Sequence, residues 1–179
     1  KFGGPSGMGA LLVRRGVRVR PLLLGGEQER ARRAGLENTP GIVAFGAACV
    51  ALAVDGRFVA ETERATVLTE RVATAALAID GVRRYGHPTE RVPHLVCLGI
   101  DDIEPQAVLL GLDQAGIAAH SGSACSSEAL EPSPVLEAMG VDAHRSLRIS
   151  VGWNTTDEDI DALLEALPQT IARMRALGA

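Results

Sequence analysis

The spacing of apolar positions changes several times along the chain, and each change predicts an element. Near the C-terminus Ile160, Leu163, Leu164, Leu167, Ile171 and Met174 recur at the period of one helix face. Thr155 or Thr156 opens this helix, and Asp157, Glu158 and Asp159 follow where the helix dipole favours negative charge. Leu147 to Val151 alternates as a strand, which turns Arg148 away from Leu147 and Ile149. His94 to Ile100 reads as a further strand and Pro105 to Ala115 as a helix stopped by Gly116. Ile117 to His120 reads as a short strand, and Ser121 to Glu131 as a small, polar loop. Ser133 caps a short helix that has Pro134 in its first turn and ends at Gly140.

Upstream the pattern is less regular. A helix is expected from Gly56 to about Tyr85, ended by Gly86-His87-Pro88, with Val67, Leu68, Val72, Ala75, Ala76 and Ile79 turned inward. Thr39-Pro40 marks the start of another helix, to about Val54, which is apolar nearly all round and is expected to be buried on several sides. Residues 16–38 read as a long loop rich in glycine and arginine, and Met8 to Arg14 as a buried strand. This is an α/β organisation in two parts. Residues 1–55 hold an antiparallel strand, a loop and a linking helix, too little to bury a core, and are expected to be the remnant of a larger domain. Residues 56–179 are expected to form a small α/β domain. The chain opens inside a glycine turn, Lys1-Phe2-Gly3-Gly4-Pro5, with no initiator Met, so further sequence is expected before Lys1.

Composition narrows the function. Hydrophobic residues make up 46% and aromatics 3%, so the core is built from small aliphatic side chains that suit helices packed on a sheet. The net charge of −4 argues against direct nucleic-acid binding, which needs concentrated positive charge. No apolar run reaches the roughly 20 residues of a membrane span. No secretory signal is visible, so no export is implied. The three cysteines, Cys49, Cys97 and Cys125, are odd in number and have no close pair, which fits a reducing cytoplasm better than a disulfide framework.

Several positions offer chemistry. Lys1 precedes a run of glycines, and a lysine that forms a Schiff base needs a tight turn and space for a flat cofactor; from the local residues alone a plain hairpin at a chain end is the commoner reading. Cys125 lies in Ser121-Gly-Ser-Ala-Cys-Ser-Ser, where a thiolate would be accessible, although a linker with Cys in place of Ser has the same composition. Arg148 presents a fork that grips a carboxylate with two hydrogen bonds, or else is a solvated strand residue. The loop 25–38 concentrates charge of both signs, as most solvated faces do, with contact to an anion or a partner subunit as the sharper alternative. Cys49 and Cys97 read as core cysteines. His87, His94 and His144 read as loop or strand-edge residues without metal spacing, and His120 stands where it could assist proton transfer.

Taken in order, these segments resemble one family. They are Lys1-Phe-Gly-Gly-Pro-Ser-Gly-Met-Gly-Ala-Leu, Gly25-Gly-Glu-Gln-Glu-Arg30, Arg33-Ala-Gly, Ser121-Gly-Ser-Ala-Cys125-Ser-Ser, Leu130-Glu-Pro-Ser133 and Leu147-Arg148-Ile-Ser. The sequence is similar to the cysteine desulfurases, in the class V aminotransferase group of fold-type-I pyridoxal-phosphate enzymes, and resembles their long-loop branch, which serves iron–sulfur assembly and tRNA thiolation. The resemblance implies the C-terminal half of such a fold: an edge of the large-domain sheet plus the small α/β domain. It implies pyridoxal 5'-phosphate on Lys1, a persulfide on Cys125, and Arg148 on the carboxylate of L-cysteine, which becomes L-alanine. It also implies a homodimer in which the 25–38 loop reaches the partner's cofactor, and a sulfur-acceptor protein. Leu36 occupies a position where the family has a phosphate-binding Thr, and His120 one where it more often has a small residue. The family's N-terminal half, which holds most cofactor ligands, is absent, so the piece alone is expected to be inactive. Two rivals remain: a class V lyase or transaminase, which needs no cysteine in a mobile loop, and an isolated domain acting as a persulfide carrier or docking module.

Overall fold

A computed structural model describes residues 2–121 and 132–178. The chain divides into two compact units, Lys1–Phe58 and Val59–Ala179.

The first unit holds little regular structure. It contains a one-turn element, α1 (Gln28–Ala31), and one helix, α2 (Thr39–Leu52). Within α1, Glu29 and Arg30 take left-handed backbone angles, with φ of 55° and 59°. Asn38 caps α2: its side chain accepts from the Gly41 N–H at 3.1 Å, so the cap lies one residue before the expected Thr39. The expected strand from Met8 to Arg14 is not formed; those residues are irregular and make no sheet pairing among the described residues. The Phe2 and Phe45 rings meet at 5.3 Å. No described residue of this unit is buried, which overturns the expectation that α2 is enclosed. Leu12 is 94% exposed and Leu22 93%, while Val43 and Val50 of α2 also face outward. So much apolar surface marks a face built to be covered.

The second unit owns the core. Helix α3 (Arg57–Leu77) stops eight residues before Tyr85, and an extra strand, β1 (Val82–Tyr85), follows Asp80-Gly81. Gly81 has φ of +67°, a left-handed turn that ends the helical run and reverses the chain. The remaining elements are β2 (Leu95–Ile100), α4 (Pro105–Gln114), β3 (His120–Ser121), α5 (Pro134–Ala138), a single 3-10 turn over Ala143–Arg145, β4 (Ser146–Ser150) and α6 (Asp157–Gly178). Thr156 and Asp159 cap α6 reciprocally: the Thr156 hydroxyl accepts from the Asp159 N–H at 3.2 Å, and the Asp159 carboxylate from the Thr156 N–H at 2.8 Å.

The four strands form one antiparallel sheet in the order β1-β2-β4-β3. Alternation sends Val82, Val96, Leu98, Ile100, Leu147 and Ile149 to one face, where they join α3, α4 and α6 in a single apolar cluster. Leu68, Val72 and Ala76 come from α3, Val108 and Leu112 from α4, and Ile160, Leu163, Leu167 and Ile171 from α6. The inward stripe of α3 is rotated from the expected one: Thr69 and Ala73 are buried and Val67 is exposed. Gly111 lets α4 approach α6, since a Cβ there would overlap Thr170. Among the described residues no single helix is long and apolar enough to cross a membrane.

Candidate functional site

The opposite sheet face has no helix of this core upon it, and its residues follow from the register. Tyr85 pairs with Cys97, Cys97 with Arg148, and Arg148 with His120. Directly opposed residues of antiparallel strands project to the same side. These four side chains therefore form a row across all four strands, with Arg148 between Cys97 and His120. Gly99 makes room for the Tyr85 ring, which a Cβ at that position would strike.

A cavity of about 300 Å³ opens beside the row, with Tyr85, Cys97 and Arg148 from the sheet, and Ser133, Leu136 and Met139 from the α5 segment, among its lining residues. Arg84 and Arg91 also line it, so three arginines border one space. Two of them are already engaged. Glu70 accepts from Arg84 at 3.1 and 3.3 Å and also from Arg91. Arg91 further donates to Thr69 Oγ1 and to the Leu95 carbonyl, each at 3.3 Å. The hydrogen bonds from Arg84 and then Arg91 hold the Glu70 carboxyl below its ordinary range. Arg148 is half-buried, and among the described residues its side chain has no ion-pair or hydrogen-bond partner. Of the three it alone has no such side-chain partner among the described residues.

The neighbouring groups differ in readiness. Burial pushes the Cys97 thiol up, partly offset by the positive charge of Arg148, so it stays protonated and is a poor nucleophile. Cys97 is half-buried beside the cavity and Cys49 is exposed, so neither is the enclosed core cysteine expected from its apolar surroundings. Burial also raises the Tyr85 hydroxyl. His87 Nδ1 accepts from the Glu90 N–H at 2.8 Å, which gives that ring a turn-closing job. His120 Nδ1 lies 3.0 Å from the Ser121 carbonyl oxygen.

Of the residues singled out from sequence, Arg148, His120 and Cys97 stand in this row. Lys1 and Cys125 lie outside the described residues, as does most of the 121–131 loop. In the 25–38 segment, Arg33 donates to the Ala34 carbonyl at 3.1 Å and the Leu36 carbonyl at 3.3 Å, and Leu36 is 88% exposed. Sequence reasoning missed the Glu70–Arg84–Arg91 cluster and Tyr85. Their signal was Asp80-Gly81, a turn pair inside an assumed helix.

A family profile described as aminotransferase class-V matches residues 1–163. The chain is 45% identical over 178 residues to cysteine desulfurase IscS 1 of Archaeoglobus fulgidus, covering 98% of this chain and 46% of that protein. It is 44% identical over 182 residues to cysteine desulfurase 2 of Trichormus variabilis, covering 99% and 45%. Among solved structures, a NifS-like protein from Rickettsia africae is similar with a TM-score of 0.72 and 30% identity, over 87% of this chain and 41% of that one. A second NifS-like protein has a TM-score of 0.80 and 27% identity, over 96% and 44%. The chain spans about half the length of the curated relatives it matches.

Proposed function

Because the chain belongs to the aminotransferase class-V family, we propose that it forms part of a cysteine desulfurase, which converts L-cysteine to L-alanine and leaves the sulfur on Cys125. The observation that carries this reading is Arg148, half-buried at a cavity whose other two arginines are held by Glu70. An amino-acid substrate brings the carboxylate that such a group lacks. The names of the curated relatives support the same activity.

The family is pyridoxal-phosphate-dependent, and the cofactor acts as the electron sink when bound. The described residues do not cradle it alone: no described residue of the first unit is buried, so a flat ring has no enclosing wall there. Lys1 is the residue proposed to bond it, with the other contacts coming from chain beyond these 179 residues. Such further chain is also the proposed cover for the exposed apolar side chains of the first unit.

The residues of this chain then divide the work. Arg148 holds the substrate carboxylate. Cys125, as thiolate, attacks the substrate sulfur; the carbon–sulfur bond breaks and a sulfur–sulfur bond forms. L-Cysteine and one thiol become L-alanine and one persulfide, so the exchange balances without an outside oxidant. The reading extends to a cytoplasmic homodimer, the 25–38 loop reaching the partner subunit's cofactor and the sulfur passing to an acceptor protein for iron–sulfur assembly or tRNA thiolation. Leu36 cannot donate a hydrogen bond to a phosphate, so that contact would fall to its neighbours.

The test uses the full-length, cofactor-loaded protein. L-Cysteine should yield L-alanine and, with a reductant, sulfide. Cys125→Ser should abolish both, a loss of at least about a hundredfold. Undiminished turnover in Cys125→Ser would contradict the desulfurase and point to lyase or transaminase chemistry on the same scaffold.

A further inference from the structure

Resting on the reading of Arg148 as the carboxylate receptor, we infer that Glu70 sets the charge class of the ligand: it occupies Arg84 and Arg91 as a built-in carboxylate, so that the cavity accepts a monocarboxylate and discriminates against a dicarboxylate. Arg84, Arg91 and Arg148 line the same cavity of about 300 Å³, and among its described lining residues there is no Asp or Glu. His87, also in the lining, adds no charge while its Nδ1 accepts from the Glu90 N–H, because that nitrogen then carries no hydrogen. Among the described residues the lining therefore holds three positive charges and no negative one.

The side chains of Arg84 and Arg91 are only 15% and 14% exposed, so water solvates them poorly. A guanidinium so enclosed is costly unless an anion faces it. Glu70 of α3 is that anion. Its Oε2 accepts from Arg84 at 3.3 Å, its Oε1 from Arg84 at 3.1 Å, and Oε1 accepts from Arg91 as well. The two-pronged pair with Arg84 is the geometry in which arginine grips the carboxylate of a ligand. Here the chain supplies the carboxylate. The hydrogen bonds from Arg84 and Arg91 hold the Glu70 carboxyl below its ordinary range, so it is charged at neutral pH.

Arg91 is tied down on its other nitrogen too. Its Nη1 donates to Thr69 Oγ1 and to the Leu95 carbonyl, each at 3.3 Å, and the Thr69 hydroxyl donates to the Pro93 carbonyl at 2.8 Å. Loss of the Glu70 charge would leave Arg91 in place with an unmet donor, rather than free it to turn into water. The cavity would then present two cationic positions to a ligand, Arg148 and the Arg84–Arg91 pair. Val92, Leu136 and Met139 in the lining suit a short hydrocarbon body between two charged ends. Glu70 is therefore a positioning residue that acts through the two arginines it holds.

The experiment measures, in the full-length cofactor-loaded protein, the Kd of butyrate and of succinate at neutral pH and matched ionic strength. The two differ by one carboxylate on the same length of carbon chain, and neither has an amine to react with the cofactor. The wild type should bind succinate no more tightly than butyrate. Glu70→Gln, which removes the charge and keeps the side-chain size, should tighten succinate about tenfold and leave butyrate within about twofold. Glu70→Asp keeps the charge and should keep the wild-type preference. A gain in affinity for one ligand alone cannot come from a folding defect. Succinate bound more tightly than butyrate by the wild type, no gain in Glu70→Gln, an equal gain for both ligands, or the same gain in Glu70→Asp would each overturn the assignment. Arg148→Gln separates the two levels. If it weakens butyrate about tenfold while Glu70→Gln leaves succinate unchanged, the receptor stands and the role of Glu70 falls; if it leaves butyrate binding unchanged, both fall together.

Discussion

One face of the sheet carries Val96, Leu98, Ile100, Leu147 and Ile149, none more than 6% exposed, pressed against three helices. The other carries Tyr85, Cys97, Arg148 and His120 in register across the same strands. A period of two residues writes both faces at once, so the strands that make the core also aim the polar row. The apolar face sets stability, and the polar face can vary its chemistry without moving the backbone. Substitutions should therefore separate cleanly by face.

The largest effect is expected on the apolar face. Leu98, fully enclosed, should cost about 3 kcal/mol when changed to Ala, read as a lower denaturant midpoint in the full-length protein. The catalytic constants of the molecules that remain folded should be unchanged; a rise in the KM for L-cysteine matching the stability loss would show that the faces are not independent. Next comes Arg148→Lys. Replacing a planar fork by a point charge should raise that KM roughly a hundredfold, about 2–3 kcal/mol, with the denaturation midpoint within about 0.5 kcal/mol of wild type. A midpoint drop as large as that of Leu98→Ala would make Arg148 a structural residue.

The smallest effect lies at the edge, where Glu70 ties α3 to β1 and to Arg91. Its carboxyl is held below the ordinary value of 4.5, so the unfolded chain binds the proton more readily than the folded one. The stabilisation is complete above the unfolded value and disappears as pH falls through the lower folded value. Because the Glu70 side chain is 44% exposed, the cluster is worth about 1 kcal/mol at most. Glu70→Gln should cost that much at neutral pH and nothing once acid has protonated the wild-type carboxyl. An equal cost at both pH values would assign the effect to packing instead.

The core was legible where periodicity was strong. In α6 the residues Ile160, Leu163, Leu167 and Ile171 announce their face, and Thr156 with Asp159 announces the cap. The strands β2 and β4 were visible as an apolar run and an alternation, and the alternation also turned Arg148 off the core side. Strand β1 was not, because Arg83 and Arg84 make an edge strand look like the polar end of a helix, and the left-handed Gly81 carries the break. The row beside Arg148 was hidden for another reason: register joins Tyr85, Cys97 and His120 only after the chain has folded. Helix α2 misled differently, since an apolar sequence calls for a cover but does not say which chain supplies it.

The most direct test asks which cysteine receives the sulfur. Full-length, cofactor-loaded protein is mixed with one equivalent of L-cysteine and digested without reductant, and the peptides holding Cys49, Cys97 and Cys125 are weighed. The Cys125 peptide should gain the mass of one sulfur atom, while the Cys97 peptide, whose thiol burial keeps protonated, should not. Sulfur on Cys97, or on no cysteine while L-alanine accumulates, would contradict the account.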